Sequence, residues 1–196
     1  MRDMIKMVVV IAVLASLSGG LLAGVRNSTL ERIEYQQLVF VKGPAIRTIL
    51  NECSNDPIID RFKVKDGDTE RSVFVGVLDG KPQVVAFEGA GKGFGGMIGV
   101  MVGVNLNDDK LLSIGVTTHA ETPGLGSKAT EKAFGDKFKG LPIMGITKVK
   151  NDGGQIDSIT GATITTRGVC EAVTKAGDTY KRIKPQIQEK IKSMKL

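Results

Sequence analysis

Residues 73–88 read VFVGVLDGKPQVVAFE, in which two apolar runs are separated by the turn sequence Asp79-Gly80-Lys81. An Asp-Gly pair between two β-prone runs is typical of a tight hairpin. We therefore predict that residues 73–78 and 83–88 pair as antiparallel strands and form the start of a globular core.

Two more β-rich runs follow this hairpin, at residues 97–105 and 111–119. The polar turn Asn107-Asp108-Asp109-Lys110 joins them and suits antiparallel pairing. Together the four runs predict a four-stranded antiparallel unit.

Helices are predicted on both sides of these strands. Upstream, Ser28-Thr29-Leu30-Glu31 has the spacing of a capping box, which predicts a helix running towards Val41. A second helix is predicted from Pro44 to about Cys53. Downstream, residues 127–138 predict a short helix.

The segment after that helix is predicted to present a turn at the start of a longer helix. Residues 146–150 and 156–158 predict a second hairpin. The run Asp157-Ser158-Ile159-Thr160-Gly161-Ala162-Thr163 overlaps the end of this hairpin, and a helix is predicted over residues 164–176, where apolar side chains recur at helical spacing.

The run 157–163 has the chemistry of an anion site. Thr163 is predicted to lie near the N-terminal end of the following helix, where unpaired N–H groups and the helix dipole favour a phosphate. Gly161 permits backbone conformations closed to other residues and Ala162 adds little bulk, so a large ligand could approach the main chain. Taken alone, such a run is more often an ordinary turn before a capped helix.

The run also matches, at every defined position, the Asp-x-x-(Ser/Thr)-Gly-Ala-Thr pattern of bacterial FMN-binding domains that carry flavin on a threonine through a phosphoester bond. Glu121-Thr122-Pro123-Gly124-Leu125-Gly126 is similar to a segment upstream in the same family. With the apolar N-terminal segment, these motifs make the chain resemble the G subunit of the Rnf electron-transport complex. The C subunit of the sodium-pumping NADH:quinone reductase shares the pattern but is generally longer.

The resemblance implies a cofactor and the residues that hold it. In this family a flavin transferase joins the FMN phosphate to the last threonine of the pattern, which is Thr163 here. The predicted cofactor-binding residues are Thr163, with Asp157, Thr160, Gly161 and Ala162 from the same run, and Glu121, Thr122, Gly124 and Leu125 from the upstream segment. No catalytic residue and no metal ligand is predicted.

The resemblance also implies electron transfer within a membrane complex that couples ferredoxin and NAD oxidoreduction to ion movement. The chain would be one redox component of that assembly rather than a stand-alone enzyme, with the other Rnf subunits and the flavin transferase as partners. Three alternatives stay open: a component like the C subunit of sodium-translocating NADH:quinone reductase, an exported flavoprotein electron carrier, and a non-redox, membrane-tethered interaction module.

Other redox cofactors have no motif in this sequence. There is no CxxCH for haem, and Cys53 and Cys170 are too few for an iron–sulfur cluster. We expect buried thiols, although a single disulfide stays open outside the cytoplasm. The run 91–96 contains G-x-G-x-x-G, but a predicted strand follows it, so we predict a glycine-rich turn. Lining of the flavin pocket by this turn stays open as an alternative. The only histidine, His119, forms no catalytic pair that the sequence can identify.

The N-terminal segment is predicted to anchor the chain in the inner (cytoplasmic) membrane. Between Lys6 and Arg26 lie 19 residues without a charge. As a helix they would extend about 28 Å, against a hydrocarbon layer of roughly 30 Å. A cleaved signal peptide is the competing interpretation, because Ser18-Gly19-Gly20 resembles a cleavage site. Arg2 and Lys6 favour a cytoplasmic N-terminus, which would place the globular domain on the periplasmic or outer face.

The net charge of +6 belongs almost entirely to the C-terminus, since residues 181–196 hold six Lys or Arg against one Glu. Ile183, Ile187 and Ile191 recur every four residues and predict an amphipathic helix despite Pro185. This helix could contact membrane lipid, an acidic partner protein or its own domain. No nucleic-acid-binding motif accompanies the charge, so no nucleic-acid partner is expected.

We therefore predict an α+β protein in which an N-terminal transmembrane helix precedes one globular FMN-binding domain of mainly antiparallel sheet and flanking helices. The N-terminus and anchor would occupy residues 1–27. The extracytoplasmic FMN-binding domain, with its N-terminal helices, would occupy residues 28–180, and the basic C-terminal helix residues 181–196.

Overall fold

The computed structural model describes residues 2–194. The chain divides into two compact units, Met1–Leu38 and Val39–Leu196. The first contains one long helix, α1 (Arg2–Gln36), none of whose residues is buried. The helical stretch Arg2–Ile49 includes a segment long and apolar enough to cross a membrane. A helix that exposes so many apolar side chains is suited to a lipid environment.

The predicted helix start at Ser28 was wrong, because α1 continues through it. The hydroxyls of Ser28 and Thr29 both donate to the Val25 carbonyl oxygen, over 2.9 and 2.7 Å. Such backward bonds are typical of a serine or threonine inside a helix. A π-helical segment, Gln37–Lys42, comes next, and the second predicted helix is α2 (Gly43–Ile49).

The second unit contains a five-stranded antiparallel sheet whose strands follow each other in sequence order. They are β1 (Arg61–Asp66), β2 (Thr69–Leu78), β3 (Lys81–Lys92), β4 (Met97–Asn105) and β5 (Lys110–Thr118). Asp79 and Gly80 form the turn between β2 and β3 with φ of 51° and 70°, which confirms the predicted hairpin. The other predicted pair, β4 and β5, is confirmed as well.

Strand β1 was not predicted. Four of its six residues are charged and only Val64 is buried. An edge strand with charged side chains protects the sheet from pairing with other chains, but it has little apolar signal. The predicted four-stranded unit is therefore a five-stranded sheet, and the predicted α+β class with a mainly antiparallel sheet is confirmed.

Helix α4 (Thr163–Ser193) crosses one face of the sheet, and α2 packs on the other. A Cβ atom on Gly91 would lie 2.0 Å from the Gly168 carbonyl oxygen, and one on Gly89 would lie 2.6 Å from that of Ala172. Only glycine permits this approach, so these two positions of β3 determine how closely the first turns of α4 pack. The largest fully buried side chains of β3 and α4 include Phe87, Tyr180, Ile183 and Ile187.

Helix α4 contains both the helix predicted at 164–176 and most of the basic C-terminal segment, so residues 181–193 are helical as the continuation of one longer element. Ile183 and Ile187 are fully buried against the domain's own core. Pro185 lies on the exposed side, where only the Lys181 carbonyl loses its helical donor. Residues 195 and 196 lie outside the described residues. The predicted limits at 27/28 and 180/181 fall within α1 and α4, and the domain assignment stays a prediction.

The connection between β5 and α4 has little regular structure. The predicted helix at 127–138 is divided into a 3₁₀ segment (Gly126–Thr130), the short α3 (Lys132–Gly135) and a second 3₁₀ segment (Asp136–Phe138). Glu131 interrupts it with an extended backbone, φ −69° and ψ 137°. Helical spacing alone was therefore misleading here.

The predicted hairpin at 146–158 was also wrong. Val149 and Ile156 form a single parallel bridge, and Lys150–Asp152 is a 3₁₀ turn. Ile146 is exposed, so this run has no continuous apolar face that a strand could bury. The guanidinium of Arg167 donates to both carboxylate oxygens of Asp152 over 2.7 and 2.8 Å, which attaches the turn to the start of α4.

Both cysteines are free thiols. Cys170 is buried in the core, and burial, with a smaller effect of Asp152, raises the pKa of its thiol to about 12. Cys53 is half-buried, and burial followed by the charge of Glu52 raises its pKa too. Neither thiol has the lowered pKa that a nucleophilic or metal-binding cysteine requires.

Candidate functional site

Thr163 is the first residue of α4 and directly follows the N-cap residue Ala162. Within residues 2–194, the amides of Thr163, Ile164 and Thr165 have no hydrogen-bond acceptor, and no side chain caps the helix. The first turn of a helix leaves such donors unpaired, at the positive end of the helix dipole. Three N–H groups suited to an anion therefore stand together at Thr163.

The turn before Thr163 is held by its own hydrogen bonds. The Ala162 amide donates to the Ile159 carbonyl oxygen over 2.9 Å. The fully buried hydroxyl of Thr166 donates to the Ala162 carbonyl over 3.0 Å and accepts from the Ile159 amide over 3.1 Å. Gly161 has φ of +78°, a value that favours glycine. Thr163 is thus carried on a closely defined backbone.

A groove of about 450 Å³ opens beside Thr163. Three parts of the chain form it: the glycine-rich hairpin between β3 and β4, the loop after β5, and the start of α4. Its lining residues are Phe94, Glu121, Thr122, Leu125, Gly126, Gly161, Ala162, Thr163, Ile164 and Thr165. The volume falls within the range of small-molecule sites, about 300–1,000 Å³.

Three of these lining side chains are apolar and exposed. Phe94 is 71 % exposed, Ile164 50 % and Leu125 45 %. They come from the hairpin, from α4 and from the loop, so apolar surface is available on all three parts of the groove. Sites for flat organic ligands combine such apolar surface with a few polar groups.

Glu121 supplies the acidic group of the groove and is buried, with 6 % of its surface exposed. Its Oε1 accepts a hydrogen bond from the Gly95 amide over 2.9 Å, and its Oε2 accepts one from the Thr165 hydroxyl. Its own amide donates to His119 Nδ1 over 3.2 Å. One side chain therefore contacts both the hairpin and the first turn of α4.

Comparisons with known proteins agree with this geometry. The family of FMN-binding domains matches residues 93–178, which include the hairpin, the loop and the first half of α4. The G subunit of the ion-translocating oxidoreductase complex of Methanosarcina acetivorans is 28 % identical over 179 residues, 90 % of this chain and 94 % of that one. The corresponding G subunit of Vibrio cholerae is 32 % identical over 180 residues, 85 % of each chain.

The chain belongs to the family of G subunits of ion-translocating oxidoreductase (Rnf) complexes. The resemblance inferred from the two motifs is confirmed. Among solved structures, the C subunit of the Na⁺-translocating NADH-quinone reductase from Parabacteroides distasonis superimposes with a TM-score of 0.52 and 27 % identity, over 61 % of this chain and 74 % of that one. The antiparallel sheet with its crossing helix is thus a fold shared by the two families.

Within this Rnf protein, six of the nine predicted site residues line the groove: Glu121, Thr122, Leu125, Gly161, Ala162 and Thr163. Two others lie in adjoining turns. Thr160 is exposed in the turn before Thr163. Gly124, with φ of 75°, lies in the turn after β5, where its amide donates to the Ser127 hydroxyl over 2.9 Å.

Asp157 does not line the groove. Its exposed carboxylate pairs with Lys150, with 2.8 Å between Nζ and Oδ1. The hydrogen bond from Lys150 lowers the pKa of this carboxyl, with a smaller contribution from the charge of Lys137. Asp157 is therefore in a position to be recognised from outside the domain, and its predicted role in cofactor binding stays a prediction.

Four lining residues are not among the nine predicted site residues: Phe94, Gly126, Ile164 and Thr165. Phe94 lies inside the glycine-rich run 91–96, for which lining of the flavin pocket is the open alternative to an ordinary turn. Gly126 ends the upstream motif, whose glycines the resemblance suggests as neighbours of the flavin. Ile164 and Thr165 were interpreted only as the start of a helix, and sequence spacing could not show which face of that helix meets the loop.

The G-x-G-x-x-G run forms the hairpin between β3 and β4, which confirms the predicted turn and excludes a strand–helix dinucleotide fingerprint there.

His119 is exposed at the end of β5, close to the groove through its contact with the Glu121 amide. Within residues 2–194, no group of three or more His, Cys, Asp or Glu side chains is placed to hold a metal ion.

Proposed function

We propose that this protein carries FMN covalently on Thr163 through a phosphoester bond and serves as one electron relay of a membrane-bound Rnf complex. The observation that carries the proposal is the position of Thr163, at the start of α4, beside a groove whose walls lie within the FMN-binding domain. The family motif at 157–163 supplies the acceptor threonine for such a bond.

The residues present fit FMN. Unpaired amides of Thr163, Ile164 and Thr165 would hold the phosphate, since backbone donors at a helix N-terminus favour an anion. Phe94, Ile164 and Leu125 would contact the apolar ring system. Bound FMN supplies the electron-accepting and electron-donating chemistry, while the protein's part is to position and tune it. Attachment at the phosphate end leaves the ring end unblocked.

The attachment step must begin from an activated flavin. Ester formation between FMN itself and a hydroxyl would release water, which is unfavourable in an aqueous compartment. We therefore infer a flavin dinucleotide donor: the Thr163 oxygen forms a bond to phosphorus, the pyrophosphate bond breaks, and a nucleoside monophosphate leaves. The hydroxyl proton passes to a base of the flavin transferase. The exposure of Asp157, beside Lys150, supports a role for this residue in recognition by that enzyme.

The same proposal includes the membrane and the partners. Helix α1 would be retained as a single-pass anchor in the cytoplasmic membrane, because its apolar side chains are exposed along its length. Arg2 and Lys6 would keep the N-terminus in the cytoplasm and place the FMN domain on the periplasmic or outer face. The other Rnf subunits would supply the electron donor and acceptor and the ion path.

The test is intact mass, with fluorescence after denaturation, for the full chain co-expressed with a flavin transferase. Thr163→Ala is compared with Thr130→Ala, which removes the hydroxyl of an exposed threonine outside both the motif and the groove. We expect the wild type and Thr130→Ala to gain the mass of one FMN less one water and to stay fluorescent when unfolded. Thr163→Ala should gain nothing.

Two results would contradict the proposal. An adduct that persists in Thr163→Ala would place the flavin elsewhere. Absence of any adduct in the wild type, under conditions in which the transferase modifies another substrate, would favour a non-redox interaction module with an ordinary capped turn at 157–163.

A further inference from the structure

We propose that Glu121 is a positioning residue: its buried carboxylate joins the glycine hairpin to the first turn of α4 and so determines the shape of the groove. The hairpin carries Phe94, and the helix turn carries Thr163. The inference rests on the proposed function, because the groove it describes is the one assigned to FMN.

The two carboxylate oxygens are used by two different elements. Oε1 accepts from the Gly95 amide over 2.9 Å, and Oε2 accepts from the hydroxyl of Thr165, which is itself buried. Glu121 belongs to a third element, the loop after β5. A single side chain thus connects the three parts of the chain that form the groove.

The carboxylate makes these contacts without a cation. None of the ion pairs found among residues 2–194 includes Glu121. A buried carboxylate is unfavourable unless donors satisfy its oxygens. Here an amide, a hydroxyl and the nearby N-terminal end of α4 do so. Loss of either donor would leave a buried oxygen unpaired, so the arrangement in which both hydrogen bonds are made is strongly favoured over one in which either is broken.

Glycines leave the space for this side chain. A Cβ atom on Gly93 would lie 2.3 Å from Glu121 Oε1. One on Gly126 would lie 2.8 Å from Glu121 Oε2 and 2.8 Å from Thr165 Oγ1. Any larger residue at either position would displace the carboxylate from its donors. The two glycines, one in each loop, therefore both permit the contacts of Glu121.

The same geometry argues against Glu121 as a phosphate ligand. A carboxylate offers only acceptors and a negative charge, and a phosphate ester offers the same. Its role in cofactor binding is therefore indirect: it holds Phe94 and Thr163 in a fixed relation, and these residues face the ligand.

The experiment uses the full chain in detergent, with Glu121→Ala, Glu121→Gln and the control Glu131→Ala, an exposed glutamate between the loop and α3. Hydrogen exchange of the Gly95 amide is measured on flavin-free protein, made without the transferase. Visible circular dichroism and intact mass are measured on protein made with it. Visible dichroism reports how rigidly the flavin is held, which a general loss of stability would not change by itself.

We expect Glu121→Ala to accelerate exchange of the Gly95 amide about tenfold or more. It should keep the FMN adduct and lose at least half of the visible dichroism. Glu121→Gln should restore most of the dichroism, because its amide oxygen still accepts from Gly95 and its amide nitrogen can donate to Thr165. Glu131→Ala should match the wild type.

Unchanged Gly95 exchange and unchanged dichroism in Glu121→Ala would overturn the proposal. If that variant does not fold, Thr165→Val and Gly126→Ala disturb the same contact from the other side, and each is expected to accelerate Gly95 exchange. A wild type without any FMN would defeat the proposed function alone, since Gly95 exchange on flavin-free protein still decides the role of Glu121.

Discussion

Gly161 lies in the turn that carries Thr163. With φ of +78° it reverses the chain directly before the helix, and a Cβ atom there would lie 3.3 Å from Leu125 Cδ2. Gly153 has the same φ of +78°, but a Cβ atom there would meet nothing within 4 Å. The two glycines therefore share a positive φ and differ in their relation to the groove.

We expect Gly161→Ala and Gly153→Ala to be destabilising by a similar amount, about 1–2 kcal/mol, because alanine disfavours positive φ. Only Gly161→Ala should slow flavin attachment, by about fivefold or more, since it shifts the turn beside Thr163. Thermal unfolding and the rate of adduct formation by mass spectrometry measure the two effects. Equal attachment rates for the two variants would contradict this role.

Asp66 is a second residue with an effect beyond its own strand. Its side chain, 6 % exposed, accepts hydrogen bonds from Arg71 on β2 over 2.8 Å and from Arg182 on α4 over 2.7 and 3.0 Å. The bond from Arg182, with that from Arg71, outweighs the opposing effect of burial and lowers the pKa of Asp66 to about 2.

A carboxyl with a lower pKa in the folded state stabilises the protein above its unfolded pKa of about 3.9. The contribution is lost as the pH falls towards 2. We expect Asp66→Asn to reduce the free energy of unfolding by about 1–3 kcal/mol at pH 7, and the difference from wild type to shrink below about pH 4. Asp68→Asn, in the exposed β1–β2 turn, is the control. If the difference in free energy of unfolding between wild type and Asp66→Asn does not depend on pH, the ionic contribution is ruled out.

At the scale of elements, α4 connects the groove to the far end of the sheet. Its first turn carries Thr163, and further along the fully buried Tyr180 stacks on Phe87 of β3 with 6.0 Å between ring centroids. The Tyr180 hydroxyl donates to Asp109 Oδ1 over 2.7 Å, and Lys184 Nζ donates to Oδ2 over 2.5 Å. The β4–β5 turn is thereby attached to the helix.

We expect Asp109→Ala to reduce the free energy of unfolding by about 1–3 kcal/mol, because it leaves the Tyr180 hydroxyl buried without an acceptor. Asp108→Ala, in the exposed part of the same turn, should change it by less than about 0.5 kcal/mol. Adding Tyr180→Phe to Asp109→Ala should recover part of the loss. Chemical denaturation of these variants and of Tyr180→Phe alone checks this, and additive effects of Asp109→Ala and Tyr180→Phe would contradict it.

At the scale of the whole molecule, the two compact units differ in how they bury apolar surface. The unit Val39–Leu196 encloses its apolar side chains between the sheet and its helices, whereas α1 exposes its own. The exposed apolar side chains of α1 suit a lipid environment, and the outer surface of the second unit suits water. This difference supports the proposed arrangement of a membrane anchor and a water-exposed flavin site.

We expect protein purified from membranes to retain residues 1–25, because the proposal assigns the uncleaved helix as the anchor. Intact mass of the purified chain measures this, and extraction should require detergent. A mature N-terminus at or near Leu21, with the protein released from membranes, would instead support an exported electron carrier.

Much of the fold could be predicted because its strands carry local signals. The Asp79-Gly80 turn and the apolar runs of β2 to β5 each identify a strand without reference to the rest of the chain. Strand β1 could not be predicted, because its charged residues give no apolar pattern. The 119–162 connection could not be predicted either, because the helix that its spacing indicates is divided into short segments in the folded domain. The continuity of α4 through Pro185 depends on Ile183 and Ile187 being buried, which is a tertiary fact.

By itself, the sequence determined the apolar anchor, the antiparallel core, the family and the threonine at the end of the 157–163 motif, because each rests on residues close together in the chain. Only the tertiary structure decided that Phe94, Glu121 and Thr165 share one groove, and that Asp157 lies outside it. These residues are brought together by the sheet register and by the glycine contacts between β3 and α4. Such contacts follow from the packing of complete elements and leave no pattern in any single segment.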